Sequence, residues 1–189
     1  MSRCSELQAL DIRPELSRIR RKSVSLRTNP TFLPKVLKAD YVNRHVNIEA
    51  FHPDPRNKTQ RGLQRLCPVR ALNIYLDKTQ PFRSPGCHQL FISYKPGSEG
   101  APVSKARIAS WLVSLISKAY SSQGLDPPQG VKAHSTRAVG ASLAFERGLS
   151  VFDICRAATW SDSLVFARHY RLDAVPQGSS LSHAVLTGP

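Results

Sequence analysis

The sequence predicts an α+β fold, mainly helical, with a small antiparallel β-sheet near the N-terminus. Three observations carry that expectation. Residues 17–27, S-R-I-R-R-K-S-V-S-L-R, alternate polar and apolar side chains and run into the turn sequence T-N-P-T, the pattern of a half-buried strand. Further on, Ile108, Trp111, Leu112, Leu115, Ile116 and Ala119 recur at helical spacing behind Ser104, a residue type that caps helix N-termini. Beyond residue 134, Gly148 supplies a helix stop, and Ser150 with Asp153 supplies a capping-box-like start.

Taken in order, residues 3–10 read as the end of a helix, and 17–27 as the first strand. F-L-P-K-V-L at 32–37 reads as a second short strand, held to an edge because Pro34 has no N–H to give. A third strand is expected near Val46 to Ile48, and the polar stretch 52–66 reads as a loop. C-P-V-R-A-L-N-I-Y-L-D opens a helix with Pro68 in its first turn, where the missing N–H costs little, and Val69, Leu72 and Leu76 share one face. Residues 82–88 are rich in turn formers. Q-L-F-I-S-Y, 89–94, is a short strand or extended segment, and K-P-G-S-E-G is a loop. Trp111 is expected in the core of the helix that starts behind Ser104. A helix from about Ser135 ends at Gly148, the next turns Val151, Ile154 and Ala158 inward, and a last short helix through L-V-F-A-R-H-Y-R is capped by Ser161 or Ser163.

The chain has 189 residues, 41% of them hydrophobic, and no internal repeat, which predicts one globular domain over 1–175 and a tail over 176–189. The tail's S-L-S-H-A-V-L is too short to fold alone. Charge is the strongest global signal: 27 Lys and Arg against 13 Asp and Glu give +14, which points to a polyanionic partner, nucleic acid first. R-I-R-R-K at 18–22 reads either as a nuclear address or as a basic strand. Neither a signal-peptide h-region nor a run of 18 apolar residues occurs, so an intracellular protein without a membrane segment is expected. Cys4, Cys67, Cys87 and Cys155 lie far apart without C-x-x-C spacing, which argues against zinc and disulfides and for reduced thiols partly in the core.

K-A-H-S-T-R-A-V-G, from residue 132, sets His134 three residues before Arg137 at the start of a helix. If the target is a phosphodiester, attack on phosphorus raises the charge on the non-bridging oxygens, and a planar guanidinium answers it with paired, charge-assisted hydrogen bonds. A histidine on the same side adds a proton-handling or hydrogen-bonding group. H-x-x-R is common by chance; the residues downstream of it, in their order, give it weight. Trp160 stands 26 residues after His134, beyond two capped helices, and Tyr170 stands 10 residues further on, the only tyrosine after His134. Taken singly, Trp160 and Tyr170 read more often as packing residues.

With H-S-T-R, E-R-G, S-V-F-D-I-C, T-W and A-R-H-Y-R-L-D in this order, the chain resembles the tyrosine site-specific recombinases of the phage-integrase family from about Arg3 to Leu186. Its tryptophan variant looks like the Cre-type enzymes, and the whole is similar to recombinases of animal mobile elements. The resemblance implies a tyrosine-recombinase catalytic core that lacks the helices and clamp domain normally preceding it. R-C-S-E-L at 3–7 matches the motif of the family's first catalytic arginine, so Arg3 takes that role, with Glu6 and Leu7 fixing the helix behind it. The family's lysine falls on Lys35, with Arg27 or Lys22 as alternatives. The implied activity is cleavage and rejoining of double-stranded DNA through a 3′-phosphotyrosyl link to Tyr170, with Arg3 and Arg137 clamping the phosphoryl oxygens and His134 and Trp160 bonding or positioning them. No metal, other cofactor or small-molecule substrate is implied. A homo-tetramer on DNA, assembled through the tail, and a nuclear location in a eukaryote (cytoplasmic otherwise) complete the expectation. The alternative is a DNA-binding module that keeps the fold and no longer cleaves.

Overall fold

The basic run at residues 18–22 is where the chain reverses. The alternation changes phase inside it: Ile19 is an odd position, whereas Val24 and Leu26 are even, so one straight strand would put them on opposite faces. In the computed structural model, which describes residues 2–37, 41–42, 44–160 and 163–169, the chain folds back here. β2 (Arg18–Ile19) and β3 (Ser23–Thr28) pair antiparallel with Ile19 opposite Val24, and the Arg20 N–H donates to the Ser23 carbonyl at 2.9 Å to close the turn.

β3 is the centre of the sheet. β1 (Leu10–Asp11) pairs with its far end, Leu10 opposite Thr28, and β4 (Val46–Glu49) pairs along it from Ser23 to Leu26, all antiparallel. Val24 and Leu26 point into a core shared with Leu10, Cys67, Val69 and Leu90, where each fully buried aliphatic side chain contributes about 1.5–3 kcal/mol. A short α1 (Cys4–Gln8) precedes the sheet and packs against α4 (Lys105–Ser121). α3 (Pro68–Thr79) lays Val69 on the core with Leu72 and Leu76 beside it, as its spacing predicts. It starts at Cys67, whose Sγ accepts from the Phe51 and Arg70 N–H groups at 3.2 and 3.5 Å. Burial pushes that thiol up, but these N–H donors outweigh it and leave the thiol below its ordinary value.

Four expectations are corrected. Residues 17–27 are two strands, β2 and β3, joined by the reversal at 20–22, rather than one. Residues 32–37 form no strand: Asn29 Oδ1 accepts from the Thr31 N–H, and the Phe32 N–H donates back to Asn29 O. That turn, with prolines at 30 and 34, leads the chain off the ladder. Residues 52–66 are not all loop, because α2 (Lys58–Arg65) starts at Asn57, whose side chain accepts from the Gln60 N–H at 2.9 Å. Leu10 is a strand residue rather than the end of a helix, since α1 stops at Gln8. The 89–94 segment is extended, tied by single bridges from Gln89 to Asp11 and from Ile92 to Pro102, with Leu90 and Ile92 fully buried. Trp111 is half-buried against Tyr94, ring centroids 6.1 Å apart.

The chain divides into two compact units, Ser2–Ala133, which holds the sheet and helices α1 to α4, and a second from His134 onward. The second is helical: α5 (Ser135–Glu146), α6 (Val151–Ala158) and α7 (Ser163–His169). α5 ends in a Schellman motif, with Gly148 at φ +83° and N–H bonds from Gly148 to Phe145 O and from Leu149 to Ala144 O. Ser150 then caps α6, accepting from the Asp153 N–H at 3.1 Å. Ala141, Ile154, Cys155, Ala158, Trp160 and Phe166 form this unit's core, with Val151 packed at its margin. The predicted cap Ser161 and the tail 176–189 lie outside the described residues.

Candidate active site

Arg137 occupies the third position of α5, where its N–H donates to His134 O at 3.1 Å. Its side chain turns inward: only 3% of the residue is exposed, and its Nη2 donates to the Ala158 carbonyl at the end of α6. That carbonyl is at the negative end of a helix dipole, a favourable place for a cation. The guanidinium also lies over the indole of Trp160, its Cζ 5.3 Å from the ring centroid; a desolvated contact of this kind is worth about 2 kcal/mol. Trp160 is itself buried, backed by Phe166 at 6.0 Å.

What brings ring and carbonyl to the guanidinium is the way α6 ends. Thr159 takes the left-handed conformation, φ +52° and ψ +44°, and the Trp160 N–H reaches back to Cys155 O at 3.0 Å. A β-branched residue pays for that conformation, and the Thr159 hydroxyl offsets part of the cost by donating to Ala158 O at 2.7 Å. Nothing in the sequence marks Thr159, because threonine is not a residue that favours this region. His134 is exposed at the N-cap position of α5, with its backbone already helical.

The other predicted residues belong to the unit Ser2–Ala133. Arg3 is the N-cap of α1. Its N–H donates to Glu6 Oε2 at 2.8 Å and its guanidinium pairs with Glu6 Oε1 at 3.3 Å, while Leu7 packs on the sheet core. Lys35 is exposed in the connection between β3 and β4. Of its alternatives, Arg27 lies on β3 with its N–H bonded to Ser17 Oγ, and Lys22 is paired with Asp54 at 3.1 Å. Within the second unit, Arg137 and Trp160 are brought together, with His134 one turn from Arg137. Tyr170 lies outside the described residues. The Tyr94 phenol is pushed up to about 12, by burial first and by Tyr75 second.

Among the described residues, no cluster of His, Cys, Asp or Glu could hold a metal ion, and no helix is long and apolar enough to cross a membrane. Cys4, Cys67, Cys87 and Cys155 are free thiols, the last three buried.

The described elements make an α+β fold, mainly helical with a small antiparallel sheet near the N-terminus, as the sequence predicts. The backbone matches the crystal structure of XerA recombinase with a TM-score of 0.55 at 14% sequence identity, over 91% of this chain. The chain spans about half of that protein, 49% of its length. No protein-family profile matches the chain, and no curated protein sequence matches it.

Proposed function

We propose that this chain is the catalytic part of a tyrosine recombinase that cleaves and rejoins duplex DNA. The observation that carries the reading is the buried seat of Arg137, held by the Ala158 carbonyl and the Trp160 ring on a recombinase fold. A guanidinium fixed before substrate arrives loses little freedom in binding a phosphoryl group and needs no reorganisation as charge develops there.

In this reading the Tyr170 phenolic oxygen attacks phosphorus and gives its proton to solvent water, forming a 3′-phosphotyrosyl bond as the bond to the 5′-oxygen breaks. Lys35 protonates that oxygen, with Lys22 or Arg27 as alternatives. Arg3 and Arg137 clamp the non-bridging oxygens. His134 and Trp160 position them, Trp160 also by holding Arg137. The reverse attack by a 5′-hydroxyl reseals a strand, so the bond energy is conserved and no nucleotide cofactor or metal takes part. Duplex DNA is the partner. A tetramer built through the tail, a nuclear location in a eukaryotic host and descent from a mobile element extend the proposal, and a non-cleaving DNA-binding module is its alternative.

The test is a nicked suicide duplex, which loses a short fragment after cleavage and traps the protein. A covalent adduct with the wild-type chain that disappears in Tyr170→Phe is expected. An adduct of unchanged yield in that variant refutes the nucleophile, and salt-sensitive duplex binding with no adduct in either form favours the binding module.

A further inference from the structure

The tip of the β2–β3 hairpin already holds an anion. Arg21 Nη2 lies 2.8 Å from Asp54 Oδ1, and Lys22 Nζ lies 3.1 Å from Asp54 Oδ2, so two cations grip the two oxygens of one carboxylate. All three side chains are exposed, at 77%, 67% and 61%. Lys22 first, and Arg21 behind it, hold the Asp54 carboxyl below the usual carboxylate range. The backbone beneath is pinned on two sides: Ala50 N–H donates to Lys22 O at 2.9 Å, and Asn73 Nδ2 donates to Arg20 O at 3.4 Å. Arg18, Arg20, Arg56 and Arg70 are exposed in the same unit.

A phosphodiester presents two terminal oxygens and one negative charge, the same fork that the carboxylate offers here. Ion pairs this exposed are weak, because water and salt compete for both partners, so a phosphate can replace Asp54 at little cost. We propose that Arg21 and Lys22 form a backbone-phosphate clamp for duplex DNA, and that Asp54 occupies the clamp in the free protein as an internal competitor. Asp54 then sets how strongly the chain holds any duplex, whatever its sequence, because phosphate contacts carry no sequence information. The proposal rests on the recombinase reading and adds a contact surface to it, with a regulator of non-specific affinity.

The test is equilibrium binding of one duplex between 50 and 200 mM salt by the full chain, Asp54→Asn, Arg21→Gln/Lys22→Gln, the triple variant, and Asp77→Asn, at an exposed position of α3, as a control for net charge. Asp54→Asn is expected to tighten binding by about two- to fivefold, the fold-change equivalent of one exposed ion pair, and Asp77→Asn by less. Arg21→Gln/Lys22→Gln is expected to flatten the salt slope by about 1, the loss of one phosphate contact, and to abolish the gain from Asp54→Asn. An equal gain from Asp54→Asn with and without Arg21 and Lys22, or a gain no larger than that of Asp77→Asn, overturns the clamp and leaves the recombinase reading standing. Absence of duplex binding in every form overturns both.

Discussion

The ends of α5 and α6 use the same pair of reaching-back hydrogen bonds with different residues. α5 stops at Gly148, φ +83°, and α6 at Thr159, φ +52°. At Gly148 a Cβ would meet nothing within 4 Å; glycine is there only because the backbone conformation is cheap for it. At Thr159 the conformation is expensive, and the chain accepts it where the next residue is the Trp160 ring under Arg137 and the preceding one is the carbonyl that Arg137 grips. Of two turns with one geometry, the first ends a helix and the second ends a helix while building half of a site. Backbone strain is informative when it sits beside a candidate functional group, and the glycine turn is the internal control.

The comparison can be broken most severely at Trp160. Trp160→Ala removes the wall shared by Arg137 and Phe166 and is expected to cost about 3–5 kcal/mol in chemical denaturation; a loss under about 1 kcal/mol would mean that the ring is not core. Next comes Gly148→Ala, with an expected loss of about 1–2 kcal/mol from backbone strain alone, since no clash is available to add to it. Ser150→Ala, which removes the cap that starts α6, should lower stability by about 1 kcal/mol. The smallest change is expected for Thr159→Gly. It relieves strain of about 1–2 kcal/mol and loses a hydroxyl bond of about 1 kcal/mol, leaving unfolding within about 1 kcal/mol of the parent. Equal losses from Gly148→Ala and Thr159→Gly would show that the two turns are not alike.

Signals that act over a few residues were legible in the sequence: the Ser104 and Ser150 caps, the Gly148 stop, Pro68 in the first turn of α3, and the inward faces of α3 and α6. α2 escaped because no side chain on it is buried, so apolar spacing had nothing to report, although the Asn57 and Gln60 pair was a usable start signal. β1 is two residues long and exists through pairing with β3, some 17 positions away, and with the extended segment at Gln89. The hairpin at 20–22 was missed, because 17–27 reads as one alternating strand, although the phase change between Ile19 and Val24 marks it. Asp54, 32 residues from Lys22, was not readable, since nothing local marks an ion-pair partner. In the candidate site, H-x-x-R and its spacing to Trp160 were legible, while Tyr170 lies outside the described residues. The contact between Arg137 and Trp160 was not legible, because it depends on a left-handed threonine that no propensity anticipates.

The most direct measurement is peptide mapping of the protein trapped on a nicked duplex. The account predicts a DNA-derived phosphate on the peptide containing Tyr170, absent from Arg137→Ala under conditions where that variant still binds duplex. A linkage to any other residue, or duplex binding with no covalent product from the wild-type chain, would contradict it.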